Sequence, residues 1–171
     1  MSIAKKAELY ANSCHTETNH KYDDQPYSVH LKMVVATAKD YIHLIPEDER
    51  ESILAGCWVH DVIEDCRQTY NDVKVATNET VAELAYALTN EKGKVRKERA
   101  NDKYYEGIRN TPYATFIKLC DRIANVTYSI NCGSNMSGVY AKENQEFVNR
   151  LFDKKYQELF DHLEKLLLKT A

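Results

Sequence analysis

The stretch Trp58-Val59-His60-Asp61-Val62-Ile63-Glu64-Asp65 decides how the rest of the chain is interpreted. Four side chains that bind metals or transfer protons occupy six consecutive positions, directly after an apolar run. On a continuous α-helix they point at about 0°, 100°, 40° and 140° around the axis, within one wedge. Three carboxylates beside one imidazole repel each other unless a cation or protons lie between them. A capped helix end with solvated acids is the alternative, but the two additional acids favour a metal site formed by His60, Asp61, Glu64 and Asp65.

The composition bounds the fold class and the partners. The chain has 171 residues, and its five glycines and three prolines leave long stretches free to be helical. The formal net charge of −3, with no strongly basic half, disfavours broad nucleic-acid binding. No signal-peptide core follows Met1, and no run of about 20 apolar residues is present, so we expect no membrane span.

The cysteines indicate a reducing compartment. Their number is odd and none forms a C-x-x-C pair, which argues against a disulfide framework or a zinc ribbon. We therefore expect a cytoplasmic protein whose five cysteines are Cys14, Cys57, Cys66, Cys120 and Cys132.

Apolar residues recur at helical spacing along most of the chain, and no segment alternates with a clear strand period. This pattern predicts one all-α domain over residues 1–171, with a core over about 5–130 and closing helices over about 139–169. We expect the second helix to begin at Ser28 as N-cap and to bury Val29, Met33 and Ala36, with Val34 and Val35 on the flank of that face. The third helix is expected to begin at Pro46 and to run without interruption through His60 and Asp61.

Two further helix starts and one central helix are indicated. Thr69-Tyr70-Asn71-Asp72 matches the capping-box pattern, and Asn78-Glu79 opens the helix that follows. The helix predicted from Thr111-Pro112 to about Ile130 is apolar on several sides, which is typical of a central, buried helix. Asp121 lies in its middle, and a buried carboxylate is costly unless it is paired or bound to a metal. The metal site is the obvious partner for it.

Three other polar features bear on a site. His30 lies in the first turn of the second helix, where a single histidine is more often structural or solvated than a ligand. Lys21 and Tyr22 belong to a polar loop that is most simply a surface loop. The basic run 90–99 is usually a solvated helix face, but Arg96, Lys97 and Arg99 are candidate phosphate contacts.

The order His30, His60-Asp61, Asp121 resembles that of the HD-domain metal phosphohydrolases. The extended form H-D-x-x-E-D, here 60–65, looks like the hydrolase domain of the RelA/SpoT family and the stand-alone small alarmone hydrolases. Pro26-Tyr27-Ser28-Val29-His30 matches their E-P-Y-x-x-H, and residues 118–125, Lys-Leu-Cys-Asp-Arg-Ile-Ala-Asn, match their K-L-A-D-R-L-x-N. The resemblance covers roughly residues 5–130, and we expect no synthetase domain.

The resemblance implies an HD-domain helical bundle and a set of site residues. One metal, Mn²⁺ in the relatives, would be bound by His30, His60, Asp61 and Asp121. Glu64 and Asp65 would hold and deprotonate the attacking water, and Asn125 would contact the substrate or position the site. The substrate contacts implied by the family's geometry are Lys21, Tyr22, Arg96, Arg99 and Tyr128, the last near the sugar.

Three functions remain open at this stage. The first is a hydrolase that removes the 3′-pyrophosphate of ppGpp, a small anionic nucleotide. The second keeps the chemistry and changes the substrate to a dinucleotide 2′-phosphate or a nucleoside monophosphate. The third is a non-catalytic module that binds nucleotide. The chain retains the four implied ligands and both acids, which favours an enzyme. Lys21 and Tyr22 replace the arginine-containing loop of the family, and this change predicts weaker discrimination between bases. The oligomeric state stays open.

Overall fold

Helices form nearly all of the regular structure in the computed structural model, which describes residues 1–170, Thr170 by its backbone alone. A minimal antiparallel pair, β1 (Lys21–Tyr22) with β2 (Gln25–Pro26), lies between the first two helices. Short 3₁₀ turns occupy Ile42–Leu44, Glu47–Glu49, Lys154–Tyr156 and Leu168–Thr170. The α-helices are α1 (Ile3–Glu17), α2 (Ser28–Asp40), α3 (Arg50–Val59), α4 (Val62–Asp65), α5 (Tyr70–Ala76), α6 (Glu79–Leu88), α7 (Arg96–Arg99), α8 (Asp102–Asn110), α9 (Ala114–Asn131), α10 (Met136–Leu151) and α11 (Gln157–Leu167).

The fold is all-α, as the periodicity predicts, and α9 is its centre. Most side chains of α9 are buried, because this helix packs against α2, α3, α6, α8, α10 and α11. Close approach requires a glycine at one point. A Cβ at Gly56 of α3 would lie 2.7 Å from Ile117 Cδ1 of α9 and 3.0 Å from Leu84 Cδ1 of α6.

The predicted starts of α5 and α6 are confirmed. Thr69 and Asp72 form a reciprocal capping box, in which the Asp72 backbone N–H donates to Thr69 Oγ1 and Asp72 Oδ2 accepts from the Thr69 N–H. The Val81 N–H donates to Asn78 Oδ1 at 2.9 Å. Side chains local in sequence therefore fix where these two helices begin.

The predicted buried face of α2 is wrong at its centre, whereas Val34 and Val35, expected on its flank, are buried. Ala36 is exposed and Val29 and Met33 are only partly buried. Ser28 is the first residue of the helix, and Tyr27 precedes it without a side-chain cap. The helix is rotated so that His30 points inward at α9, and the face that it buries consists of His30, Leu31, Val34, Val35 and Ala38.

The prediction of one continuous helix through His60 and Asp61 is also wrong. Helix α3 ends at Val59, His60 and Asp61 form a turn, and α4 begins at Val62. Asp61 has φ −106° and ψ −3°, outside the ordinary helical range. The break offsets the His60–Asp61 pair from the Glu64–Asp65 pair, so the single wedge of a straight helix does not describe their directions.

Two simpler expectations concern the cysteines and the membrane. All five cysteines are free thiols. Among residues 1–170, none of the helices combines the length and the apolar composition needed to span a bilayer.

Candidate metal centre and substrate cavity

Four side chains from three elements converge beneath a cavity. His30 comes from the first turn of α2, His60 and Asp61 from the turn after α3, and Asp121 from the middle of α9. His60 Nε2 lies 2.8 Å from Asp61 Oδ2, and His30 Nε2 lies 3.3 Å from Asp121 Oδ1. The two Nε2 atoms are 3.4 Å apart. The ligand set implied by the resemblance is thus brought together in space.

The donor chemistry fits a divalent metal ion. His60 Nδ1 lies 2.9 Å from the carbonyl oxygen of Cys57, so this nitrogen carries a proton and Nε2, which faces the cluster, is the nitrogen that a metal would bind. His30 Nε2 also faces the cluster, and both histidines are buried. Three of the residues, His30, His60 and Asp121, present ligand atoms within 4.8 Å of one another. Two imidazoles and two carboxylates suit a borderline-hard divalent ion.

The pKa shifts of His60 and Asp121 indicate that the negative charge of the cluster requires a compensating positive charge. Burial lowers the pKa of His60, but Asp61 and Asp121 outweigh it and hold that pKa well above its ordinary value. Burial would raise the pKa of Asp121, yet Lys118, His30 and His60 hold it well below the usual range. Without a metal, a proton on His60 thus compensates the negative charge of Asp61 and Asp121. A bound metal cation would compensate that charge in place of the proton.

Asp121 is held by two side chains of its own helix. Lys118 Nζ lies 2.9 Å from Oδ2, and Asn125 Nδ2 donates to Oδ1 at 2.6 Å. Asn125 Oδ1 in turn accepts a hydrogen bond from the Tyr22 hydroxyl at 2.8 Å. In this structure Asn125 therefore positions a candidate ligand, the second of the two roles expected for it.

Residues of the hairpin region close one side of the centre. The Tyr27 hydroxyl donates a short hydrogen bond to Asp61 Oδ2. The Tyr22 ring stacks on the His30 imidazole, with 4.9 Å between ring centroids. Both tyrosines therefore restrict the directions in which His30 and Asp61 can turn.

The two acids expected to activate water differ in their surroundings. The Glu64 carboxylate accepts from both the backbone N–H and the side-chain amide of Asn90, at 3.1 and 3.0 Å. Among the described residues, Asp65 has no such donor pair. Burial, together with the charges of Asp61 and Glu64, raises the pKa of Asp65 to about 7. The pKa of Asp65 therefore matches proton transfer near neutral pH.

A cavity of about 350 Å³ opens above the centre, and both signs of charge line it. Its acidic floor includes Asp61, Glu64, Asp65 and Asp121. Its basic wall comprises Arg96, Lys97, Arg99, Lys118 and Arg122. The basic run 90–99 thus contributes three cations to the cavity.

Residues of α10 organise that wall. Glu143 accepts from Arg96 Nε at 2.6 Å and from Arg122 Nη1 at 2.9 Å. Both guanidinium groups lie over the Tyr140 ring, at 5.4 and 4.7 Å. Sequence reasoning assigned no role to Lys118, Arg122, Tyr140 or Glu143. The three-residue spacing from Lys118 to Asp121 is a local signal for the first, whereas nothing local signals that α10 folds over the site.

Three predicted substrate contacts lie elsewhere. Lys21 is exposed and lines a second cavity on the α1 side. Tyr22 and Tyr128 pack against each other, with centroids 4.6 Å apart, and do not line the cavity above the centre. Their contact with substrate stays a prediction that the geometry does not support directly.

No protein-family model matches the sequence. The fold is a helical HD-domain fold, with the order His30, His60-Asp61, Asp121 at its centre. Among solved structures, the chain is similar to a metazoan ortholog of SpoT, which hydrolyses ppGpp and plays a role in starvation responses. The TM-score is 0.76 at 20% sequence identity, and the match covers 100% of this chain and 97% of that one. At this identity the likeness establishes the fold.

Proposed function

We propose that the protein is a metal-dependent phosphohydrolase that removes the 3′-pyrophosphate of ppGpp. The observation that carries this proposal is the convergence of two histidines and two aspartates at the floor of a cavity with a cationic wall. The fold shared with the metazoan SpoT ortholog supports it. We further propose that the metal is Mn²⁺, as the resemblance implies.

His30, His60, Asp61 and Asp121 would hold the metal, which when bound polarises a phosphoryl oxygen and lowers the pKa of water. Asp65 would take the proton of the attacking water. Glu64, fixed by Asn90, would orient that water. Hydrolysis joins the water oxygen to the phosphorus of the 3′-phosphate and breaks its bond to ribose O3′, which takes up a proton. The products are GDP and pyrophosphate.

The basic wall would bind the phosphate oxygens. Arg96 and Arg122 share one carboxylate, Glu143, so a phosphate group could take over part of their hydrogen bonding without leaving either guanidinium unpaired. Lys118 serves Asp121 and also lines the cavity, which places its charge between the candidate ligand and the substrate.

The position of the hairpin residues, away from the cavity above the centre, favours a second class of substrate. Because Lys21 and Tyr22 do not line the cavity, they offer no direct recognition of a base there. A nucleotide phosphatase acting on a dinucleotide 2′-phosphate or a nucleoside monophosphate is therefore the alternative.

Product analysis separates the two. The purified protein, loaded with Mn²⁺, is incubated with ppGpp, a nicotinamide dinucleotide 2′-phosphate and nucleoside monophosphates. The proposal expects pyrophosphate and GDP from ppGpp. Phosphate released from another nucleotide, with ppGpp inert, would replace the alarmone substrate by the alternative.

Glu64→Gln serves as the control for contaminating phosphatases. We expect this variant to keep its metal and to lose about 100-fold in kcat, the scale of a disrupted acid–base step. An unchanged kcat would show that Glu64 only accepts the hydrogen bonds of Asn90 and takes no part in the reaction. Absence of any hydrolysis by the metal-loaded wild type would favour a nucleotide-binding module.

A further inference from the structure

A second cluster of metal-competent side chains lies beside the first. His15 is in the last turns of α1, His20 precedes β1, and Cys66 directly follows α4. His15 Nδ1 lies 2.9 Å from His20 Nδ1 and 3.1 Å from Cys66 Sγ. All three ligand atoms lie within 4.8 Å of one another. None of these residues belongs to the candidate centre described above.

Hydrogen bonding alone accounts poorly for this arrangement. A neutral imidazole nitrogen has either one hydrogen or one lone pair, directed in the plane of the ring. His15 Nδ1 nevertheless has two close partners, and its own Nε2 is buried without a hydrogen-bond partner among the described residues. Three ligand atoms this close together can be satisfied by a single cation.

The histidines are prepared for metal binding. Burial lowers the pKa of His15 to about 4 and also lowers the pKa of His20, so both rings are neutral at neutral pH. The Tyr27 ring stacks on both imidazoles, with centroid distances of 4.3 and 4.0 Å, and holds their planes nearly parallel. The two ligand nitrogens are therefore oriented before an ion arrives.

An approach from solvent exists. A cavity of about 310 Å³ is lined by both histidines and by Asn12, whose Oδ1 is likewise buried without a partner among the described residues. A metal bound at His15 Nδ1 would leave the proton on Nε2, on a residue that shares this cavity with the unpaired Asn12 oxygen. The polar lining of the cavity is consistent with ordered water between them.

We propose that His15, His20 and Cys66 form a second metal site, which takes a borderline-soft divalent ion such as Zn²⁺. Tetrahedral zinc with bonds of about 2.0–2.3 Å separates its nitrogen and sulfur ligands by about 3.3–3.6 Å. The observed 2.9 and 3.1 Å need to widen by only a few tenths of an ångström. Burial raises the pKa of the Cys66 thiol to about 11, so metal binding releases the thiol proton to solvent.

The fourth position is left to water. Asp65 Oδ2 is 4.0 Å from His20 Nδ1, farther than His15 Nδ1 is from either of its two neighbours, and Asp65 is assigned to the first centre. The second metal would then connect the end of α1, the hairpin and the end of α4. Its role is to fix these segments around the first centre, and it does not depend on which substrate the protein hydrolyses.

Cobalt spectroscopy tests the cysteine ligand directly. Co²⁺ is titrated into protein carrying Cys132→Ser, which removes the exposed thiol. The proposal expects an intense near-ultraviolet thiolate-to-cobalt charge-transfer band that is complete within two equivalents per chain, since the first centre also binds one Co²⁺. Cys66→Ser should abolish the band, and Cys14→Ser, at a buried cysteine of the same helix as His15, should retain it. A band that persists in Cys66→Ser, or no band in the parent protein, would overturn the site.

A thermal-shift measurement guards against misfolding of the cysteine variant. His20 is only partly buried, so His20→Ala should fold normally, as judged by its helical circular dichroism. With Mn²⁺ in large excess to fill the first centre, Zn²⁺ should raise the Tm of the wild type by more than that of His20→Ala, whose remaining shift measures exchange at the first centre. Equal Zn²⁺-induced shifts in the two proteins would exclude His20 as a ligand and contradict the proposal.

Discussion

Lys118 Nζ lies 2.9 Å from Asp121 Oδ2, one helical turn away on α9, while the other oxygen of the same carboxylate faces His30 Nε2 at 3.3 Å. One carboxylate thus joins the half-buried ammonium group of Lys118 to the candidate metal centre. Its two oxygens have separate partners, because Lys118 lies along the helix and His30 lies across the interface with α2. The stability of the pair and the occupancy of the metal centre are therefore expected to be linked.

Lys118→Gln should destabilise the metal-free protein by about 3 kcal/mol, since removing one partner leaves a buried charge uncompensated. The loss should be smaller with saturating Mn²⁺, because the cation then compensates Asp121. Urea unfolding with chelator and with Mn²⁺ measures both values. Lys5→Gln is the matched control, since Lys5 and Glu8 have the same spacing at the exposed surface and should contribute about 0–1 kcal/mol. Equal losses with and without Mn²⁺ would contradict the link.

Asp121→Ala should lose Mn²⁺. The substitution removes an oxygen ligand and leaves the two imidazoles with one carboxylate, so Mn²⁺ affinity should fall by at least tenfold, the scale seen when the ligand environment is disturbed. Elemental analysis after Mn²⁺ loading and desalting gives the stoichiometry. Asp24→Ala, at an exposed acid of the hairpin turn, should bind as the wild type does. Equal Mn²⁺ content in Asp121→Ala would remove Asp121 from the ligand set.

The metal-free protein should show a pH dependence that belongs to Asp65. Its pKa rises from about 4 in the unfolded chain to about 7 in the folded one, so the folded state binds the extra proton. The associated stability is fully present below about pH 4 and is lost as the pH rises through about 7.

Asp65→Asn should remove this slope, and the difference between the unfolding free energies of wild type and variant isolates it. The subtraction matters because the lowered pKa of His15 acts oppositely: its stability is lost as the pH falls towards about 4. A difference that stays constant between pH 4 and pH 8 would rule out a raised pKa for Asp65.

Arg96→Ala should raise KM more than Lys21→Ala does. Arg96 lines the cavity above the centre, whereas Lys21 lines the cavity on the α1 side. A phosphate contact that acts equally in ground state and transition state changes KM and leaves kcat nearly constant. Steady-state kinetics on the substrate identified by product analysis supply the comparison. A larger effect of Lys21→Ala would restore the hairpin as the binding element implied by the family resemblance.

Gly56→Ala should destabilise the protein by about 1–3 kcal/mol, the usual cost of an added methyl group in a packed core. The new Cβ would meet Ile117 Cδ1 at 2.7 Å, at the contact of α3 with α9. Gly138→Ala in α10 is the control, because a Cβ there meets nothing within 4 Å. The control should gain up to about 1 kcal/mol through helix propensity. Urea midpoints that rank the two variants in the opposite order would contradict the close approach.

The pattern of α9 shows how much of the fold could be predicted. Its apolar residues on several sides predict a central helix, and the structure has α9 in contact with six other helices. The capping residues Thr69 and Asn78 likewise predict the starts of α5 and α6. These predictions succeed because each depends on the spacing of a few neighbouring residues. The buried face of α2 was only partly predicted, with Val34 and Val35 on its flank, because a polar residue, His30, occupies part of that face.

The features of the candidate site also fall into those that the sequence predicts and those that only the structure shows. Sequence alone determined the helical class, the polar cluster His60, Asp61, Glu64 and Asp65, and the need of Asp121 for a distant partner, because all three are consequences of local pattern. Tertiary structure alone decided that α3 breaks at His60 and that Glu143 of α10 pairs Arg96 with Arg122. It also brought His15, His20 and Cys66 together across 51 residues of chain. Long-range packing determines these features, because the spacing of neighbouring residues does not specify which distant helix a side chain will contact.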